Sequence, residues 1–261
     1  MSSKISLICI FCPPKSGSTL LEILLGTHQK ISSIGERRFE DNKCNCGKTL
    51  QECDFWSKIK SKSSSKNIFE ILSKNKNDIN FNKEIFKLIL NESNSLHVVE
   101  SMKSSVFIDK CIQYNEDFDV KIISLIRDPM ELIQIQKKKR LINNFKKGSN
   151  VLKTSIFIFY YYLKQLRYLK YTFHITYFND LIDNPLDELN KIYKKLNLPL
   201  IKNLHIDKSK IHSLGGSGVR NYDSISKNEN LNYLSYFEKI FANILSIPSW
   251  IMMKFILLKK K

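Results

Sequence analysis

Three short stretches carry residues whose types and spacing suit an anionic group and a proton. The first is CPPKSGST (12–19), between an apolar run, ISLICIF (5–11), and an amphipathic one that includes Leu20, Leu21, Leu24 and Leu25. Gly17 can take a backbone conformation closed to other residues and leaves room for a ligand. N–H groups at the start of a helix there, with the Ser18 and Thr19 hydroxyls, can bind a phosphate, and the helix dipole adds to the attraction. Lys15 supplies a mobile cation beside the same group. The stretch lacks the spacing G-x-x-x-x-G-K-[ST] of an NTPase loop. Its structural alternative is an ordinary strand-to-helix turn.

The second stretch is IISLIRDPMEL (122–132), a strand ending in Arg127 that enters a helix through Asp128-Pro129. At a sheet edge, Arg127 can form a bidentate pair with a second phosphate; the alternative is a pairing with a surface carboxylate. The third is SIGE (33–36), where Glu36 follows a short strand and can accept a proton from a hydroxyl. Arg37 and Arg38 adjoin it and would lower its pKa, while partial burial would raise it. His97 is the rival base, but it stands just before the third strand and so at the far end of the sheet. Lys103, in VVESMKSS (98–105), follows that same strand.

The elements that must position these residues read as strands alternating with helices. Strands are expected at 5–12, 31–34, 97–101, 120–126 and 172–178, with helices at 17–27, 81–92, 129–145, 150–170 and 185–197. Alternation of this kind implies a parallel sheet covered on both faces. Ligands in such sheets bind beyond the carboxyl ends of the strands, where the turns after Phe11, Ile34, Glu100 and Ile126 all lie. The polar stretch at about 41–80 reads as a surface excursion. The aromatic run FIFYYYLKQLRYLKY (157–171) reads as core plus a wall of an acceptor site, not as a stacking platform for nucleic acid.

The chain has 261 residues, enough for a large core, and a net charge of +17. That charge favours phosphates, sulfates, nucleic acid or anionic lipid. Only six of the 42 basic residues are arginine, so much of the excess is lysine that also suits a solvated face. No secretory signal is visible, which makes a cytoplasmic location the expectation.

In their order, the motifs resemble the PAPS-dependent sulfotransferase family, PAPS being 3′-phosphoadenosine 5′-phosphosulfate. PKSGST resembles that family's turn for the donor's 5′-phosphosulfate, and LIRDP, about 110 residues later, its 3′-phosphate site. SIGE resembles a G-E element after the first helix, and CNCGKTLQECDFW (44–56) a cysteine-rich insert of a bacterial branch. ITYFNDLIDNPLDELNKIYKKLNLP (175–199) is similar to a Y-E-D-L…L-G-L-P segment, and HSLGGSGVR (212–220) to a late loop that closes over the donor.

The resemblance implies an α/β fold, a P-loop-NTPase-like parallel sheet of about five strands flanked by helices on both faces. It implies that Lys15, Ser16, Gly17, Ser18, Thr19, Arg127 and Arg220 bind the donor. Glu36, Lys15 and Lys103 are implied as catalytic residues, with no metal required. The acceptor would be a hydroxyl or amine of a carbohydrate or lipid, and no nucleic-acid partner is expected. Two positions depart from the family. Ile135 stands where a serine touches the 3′-phosphate, leaving Gln134, Gln136 or Arg220 to take that contact, and Ser217 stands where asparagine is usual.

The whole chain, 1–261, reads as one sulfotransferase domain. Cys44, Cys46 and Cys53 are one ligand short of a zinc site; zinc with Cys12 or a histidine, a local disulfide and free thiols all remain open. The C-terminal IFANILSIPSWIMMKFILLKKK (240–261) has an apolar part of about 15 residues, short of the roughly 20 needed to span a membrane. Its tryptophan and basic tail suit a helix lying at the inner face of a membrane. A basic binding module and a nucleotide kinase of the same fold are the rival readings.

Overall fold

The computed structural model describes residues 4–36, 43–64, 78–101, 103–142, 151–207, 211–215 and 231–258. Five strands form one parallel sheet: β1 (Ile5–Phe11), β2 (Ile31–Gly35), β3 (His97–Glu100), β4 (Phe118–Ile126) and β5 (Thr172–Tyr177), in the spatial order β2-β3-β1-β4-β5. Nine helices are described: α1 (Ser18–Leu25), α2 (Asp54–Lys62), α3 (Ile79–Ser93), α4 (Ser105–Gln113), α5 (Pro129–Ile142), α6 (Val151–Arg167), α7 (Phe178–Asp183), α8 (Pro185–Lys195) and α9 (Tyr236–Leu258). The expected fold class is the observed one.

Alternation along β1 sorts the core. Leu7, Cys9 and Phe11 face one side, where Trp56, Phe86 and Phe107 of α2, α3 and α4 cover them. Ile8 and Ile10 face the other, against Leu21 and Leu24 of α1 and Leu189 and Ile192 of α8. A third cluster, with Ile133, Ile158, Tyr162 and Ile256, joins α5, α6 and α9 beside the ends of β4 and β5. Helix starts follow their sequence signals. Asp78 caps α3 by accepting from the Phe81 N–H at 3.0 Å, and Ser104 caps α4 from the Phe107 N–H at 3.2 Å. Asp128 caps α5 from the Met130 and Glu131 N–H groups at 2.8 and 3.2 Å, with Pro129 in the first helical position.

The segment expected as a polar surface excursion is more than that. Residues 65–77 lie outside the described set, but Cys44, Leu50, Cys53, Trp56 and Ile59 are buried, and α2 turns its apolar side onto α3. Those five are scattered through a stretch (44–59) whose other residues are mostly polar, too sparse to read as core from composition. The C-terminal segment also differs from expectation. α9 is a continuous helix of 23 residues containing Pro248, long and apolar enough by length and composition to cross a membrane. One side packs on α6 and α5, burying Ala242, Ser246, Ser249 and Ile256. Trp250, expected at a lipid interface, instead donates its indole N–H to the Asp128 carboxylate at 2.9 Å.

A buried carboxylate fixes the sheet edge. Glu22, on α1, is 1% exposed and accepts from Ser33 Oγ and the Gly35 N–H at 2.5 Å and from Ser101 Oγ at 2.6 Å. The ends of β2 and β3 thus hang from one side chain of the first helix. Burial outweighs these hydrogen bonds and raises the Glu22 pKa from 4.5 to about 7. Native protein therefore holds a proton that the unfolded chain releases between those values, and stability falls as pH rises through that window. The full loss is about 3 kcal/mol for that gap, an upper figure. The difference in unfolding free energy between wild type and Glu22→Gln, measured by urea titration, should fall from about pH 4.5 to about pH 7 and level off above. A difference constant with pH would show that folding leaves the Glu22 pKa unchanged.

Candidate functional site

The turn between β1 and α1 is tight. The Ser16 N–H donates to the Pro13 carbonyl at 3.3 Å, and both Lys15 and Gly17 have positive φ, 74° and 98°. The first helical bond runs from the Leu21 N–H to the Gly17 carbonyl. The N–H groups of Ser18, Thr19 and Leu20 therefore lie ahead of the ladder, as a helix start leaves them. Ser16 Oγ is buried without an oxygen or nitrogen partner among the described residues; the Cys12 thiol lies beside it and beside Ser18. Gly17 is required twice over, because a Cβ there would come within 2.6 Å of the Phe178 ring and its φ disfavours side chains. A tight turn of small residues with unladdered N–H groups and a buried hydroxyl offers the donors that a tetrahedral oxyanion needs.

Arg127 closes one side of this turn. It ends β4 and is 4% exposed. Its guanidinium lies 3.7 Å over the Phe178 ring, its Nε donates to Glu131 at 2.9 Å, and its Nη1 donates to the Lys15 carbonyl at 3.2 Å. Tyr162 donates to the Arg127 carbonyl. Arg127 thus meets the first turn, as expected, but spends its donors on the turn's backbone and on Glu131. Phe178, sandwiched between Gly17 and Arg127, escaped sequence reasoning. Its signal was present: it is the aromatic residue immediately after β5, the strand beside β4.

Glu36 and Lys103 meet on the other side. Each follows a strand end, and their Nζ–Oε1 distance is 2.5 Å with both side chains 11% exposed. Lys103 sits at φ 55°, a left-handed conformation that turns its side chain back over the sheet edge. The charges of Lys103 and Glu36 both bear on the buried Cys12 thiol, whose pKa burial raises to about 11. The first turn, Glu36 and Lys103 are therefore one cluster. The partner of Glu36 among the described residues is Lys103; Arg37 and Arg38 lie outside them, as do Arg220 and Ser217 of the late loop. Tyr161 of α6 belongs to the same edge: its pKa is raised by burial first and by the nearby Cys12, Tyr160 and Glu36. Its ring also packs at 5.9 Å, tilted by 34°, against Phe11, the last residue of β1.

His97 is excluded as a base by position. It pairs in register with Ser6 and Ile31 at the start of the sheet, three residues or roughly 10 Å from the edge reached by Glu100. Burial and the Lys121 ammonium lower its pKa to about 4. At the positions proposed to replace the family serine, Gln134 Oε1 and Gln136 Nε2 are buried and without partners among the described residues.

Comparisons with known proteins bear on the family and the fold. A family model described as the sulfotransferase family matches residues 8–202. No curated protein gives a significant match in sequence. Among solved structures, the sulfotransferase domain from the curacin biosynthetic pathway superposes with a TM-score of 0.55 and 17% identity, covering 94% of this chain and 99% of that one. The sulfotransferase domain from the Synechococcus PCC 7002 olefin synthase also gives 0.55 and 17%, over 80% of each chain. A sulfotransferase from Alicyclobacillus acidocaldarius gives 0.52 and 11%, over 97% of each. At these identities the structural likeness carries the fold, and the family match carries the rest: spanning both the turn at Gly17 and the strand that ends at Arg127, it establishes that the chain belongs to the sulfotransferase family.

Proposed function

We propose that the protein transfers a sulfuryl group from PAPS to a hydroxyl or amine of a carbohydrate or lipid acceptor. The observation that carries this reading is the convergence at one sheet edge of an anion-sized turn, the Glu36–Lys103 pair and Arg127. The donor's 5′-phosphosulfate would sit on the N–H groups and hydroxyls of Ser16, Gly17, Ser18 and Thr19. Arg127, with Arg220, would take the 3′-phosphate, Arg127 exchanging its Glu131 contact for a phosphate at little change in charge balance.

The reaction follows from placement. The acceptor oxygen attacks sulfur in line with the bridging oxygen, the new S–O bond forms as the old one breaks, and the acceptor proton passes to the Glu36 carboxylate. Lys15 neutralises charge growing on the departing bisphosphate, and Lys103 serves both the sulfuryl oxygens and Glu36. Tyr161, with its neighbours on α6, forms a wall where an acceptor would lie.

The exposed side of α9 suggests where that acceptor is met. Phe237, Phe241, Ile244, Ile247, Ile251 and Phe255 are exposed on it, and Ile156, Phe157 and Tyr160 are exposed on α6, the helix it packs against. A helix packed by one face and apolar on the other lies flat on a lipid surface rather than crossing it. On this reading the protein works at the cytoplasmic face of a membrane, and a lipid-linked acceptor fits best.

Three outcomes test the proposal. Calorimetric titration should give binding of adenosine 3′,5′-bisphosphate in preference to ATP. Lys15→Ala, and Arg127→Lys, which keeps the charge but loses the fork, should each weaken it by about 2–5 kcal/mol; tighter binding of ATP would favour a kinase, and no binding of either a non-catalytic module. Glu36→Gln should retain bisphosphate binding while turnover falls by roughly two to four orders of magnitude. In flotation with anionic vesicles, wild type should rise with the lipid and the double variant Ile244→Glu/Ile251→Glu should stay below, with the fold intact by circular dichroism. Equal flotation of both would remove the membrane from this account.

A further inference from the structure

Outside the Glu36–Lys103 cluster, the structure gathers four metal-ligating side chains from distant parts of the sequence. Cys44, Cys46 and Cys53 come from the insert, and His212 from a segment about 160 residues further on. Their sulfur and nitrogen atoms all lie within 4.8 Å of one another. His212 Nδ1 is 3.4 Å from Cys53 Sγ and 3.7 Å from Cys44 Sγ, and the Cys46 and Cys53 sulfurs are 3.7 Å apart. Donors held tetrahedrally at about 2.3 Å (sulfur) and about 2.0–2.1 Å (nitrogen) from one ion stand about 3.5–3.8 Å from each other. Three of the observed spacings, 3.4, 3.7 and 3.7 Å, lie at or close to those edges, and all are within 4.8 Å. A sulfur pair joined covalently would be far closer, about 2.05 Å.

We propose that Cys44, Cys46, Cys53 and His212 bind one Zn²⁺ ion in a closed, structural Cys₃His site. The sequence supplied three donors and left the fourth open; Cys12 is engaged at the first turn, and His212 fills the place. Three thiolates and one imidazole in a tetrahedron select zinc among common divalent ions, and a full donor set with no open position makes the site structural rather than catalytic.

The surroundings are those of a supported site. Phe55 stacks on the His212 ring at 4.7 Å and 5°, and the Trp56 indole N–H donates to the His212 carbonyl at 2.7 Å, fixing the ring that presents Nδ1. The Cys44 N–H donates to the Lys48 carbonyl and the Gly47 N–H to the Cys44 carbonyl, closing the loop that brings the first two sulfurs together. Gly47 takes φ 92° there, a turn closed to most residues.

The site has work to do in the fold. Leu214, two residues after His212, bridges both Gly35 and Cys44, and its N–H donates to the Ile34 carbonyl at 3.1 Å. The ion would pin the insert and the late segment together against the end of β2, one residue before Glu36. A cross-link closing so long a loop removes much freedom from the unfolded chain.

Elemental analysis of the full-length protein, purified without added metal or chelator, should give one equivalent of zinc per chain. Cobalt(II) exchanged into the reduced protein should show the thiolate charge-transfer and strong visible bands of a tetrahedral sulfur-rich site. Cys53→Ser and His212→Ala should lose the metal and His212→Cys should retain it, with chelation lowering the wild-type melting temperature. Absence of bound metal together with no tetrahedral cobalt spectrum would overturn the proposal, as would iron in place of zinc or a Cys46–Cys53 disulfide by mass spectrometry. Zinc retained by His212→Ala with an unchanged cobalt spectrum would overturn the role of His212. None of these readouts depends on sulfuryl transfer, so a protein that holds zinc and ignores the bisphosphate would refute the proposed reaction and leave this site standing.

Discussion

The site depends on a carboxylate that never meets solvent. Glu22 receives the end of β2 through the Gly35 N–H and Ser33, and the end of β3 through Ser101. It does so from α1, the helix whose first turn is the proposed oxyanion cradle. Its three bonds therefore set the distance between that cradle and the two residues, Glu36 and Lys103, that leave those strand ends. A charged or half-charged group in so apolar a place is unfavourable by itself. It persists because each of its donors would otherwise be a buried polar group without a partner.

The opposite wall is built from shape rather than charge. Gly17, Phe178 and Arg127 form a stack in which the ring needs the missing Cβ and the guanidinium needs the ring face. Tyr162 and Glu131 then hold Arg127 from behind and from the side. On the proposed reading, an arginine so placed would lose little conformational freedom if an anion replaced Glu131. The two walls differ in kind, one a network of hydrogen bonds and one a packed stack, and the turn at Gly17 belongs to both.

Much of the fold and half of the site were legible in the sequence because local signals carried them. Strands buried on both faces read as apolar runs, and Asp128-Pro129 and Pro185 marked helix starts by their own chemistry. Lys15, Glu36, Lys103 and Arg127 could be singled out as candidates because their motifs resemble a known family's and each follows a strand end, where a parallel sheet puts its ligands. What was not legible depended on partners distant in sequence. Glu22 looks like one polar residue on an amphipathic helix until Ser33 and Ser101 arrive over it. Phe178 looks like core until Gly17 is seen to lack a Cβ beneath it. His212 could not be matched to Cys44 without knowing that Leu214 joins the end of β2. The pairing of Glu36 with Lys103 had the same cause, since neighbouring Arg37 and Arg38 were nearer in sequence.

α9 connects the membrane reading to the chemistry through one hydrogen bond. Trp250 donates to the same Asp128 carboxylate that caps α5, and Asp128 is the residue after Arg127. The cap and the indole use different oxygens, so neither displaces the other. An apolar helix resting on lipid would thus be fastened directly to the turn that orients the arginine, with α6 and its Tyr161 packed between lipid and site. If α9 rested on lipid, its packing on α6 would make α6 the wall nearest the membrane. An acceptor held in a bilayer would reach Glu36 along that wall without the sheet edge having to open toward solvent.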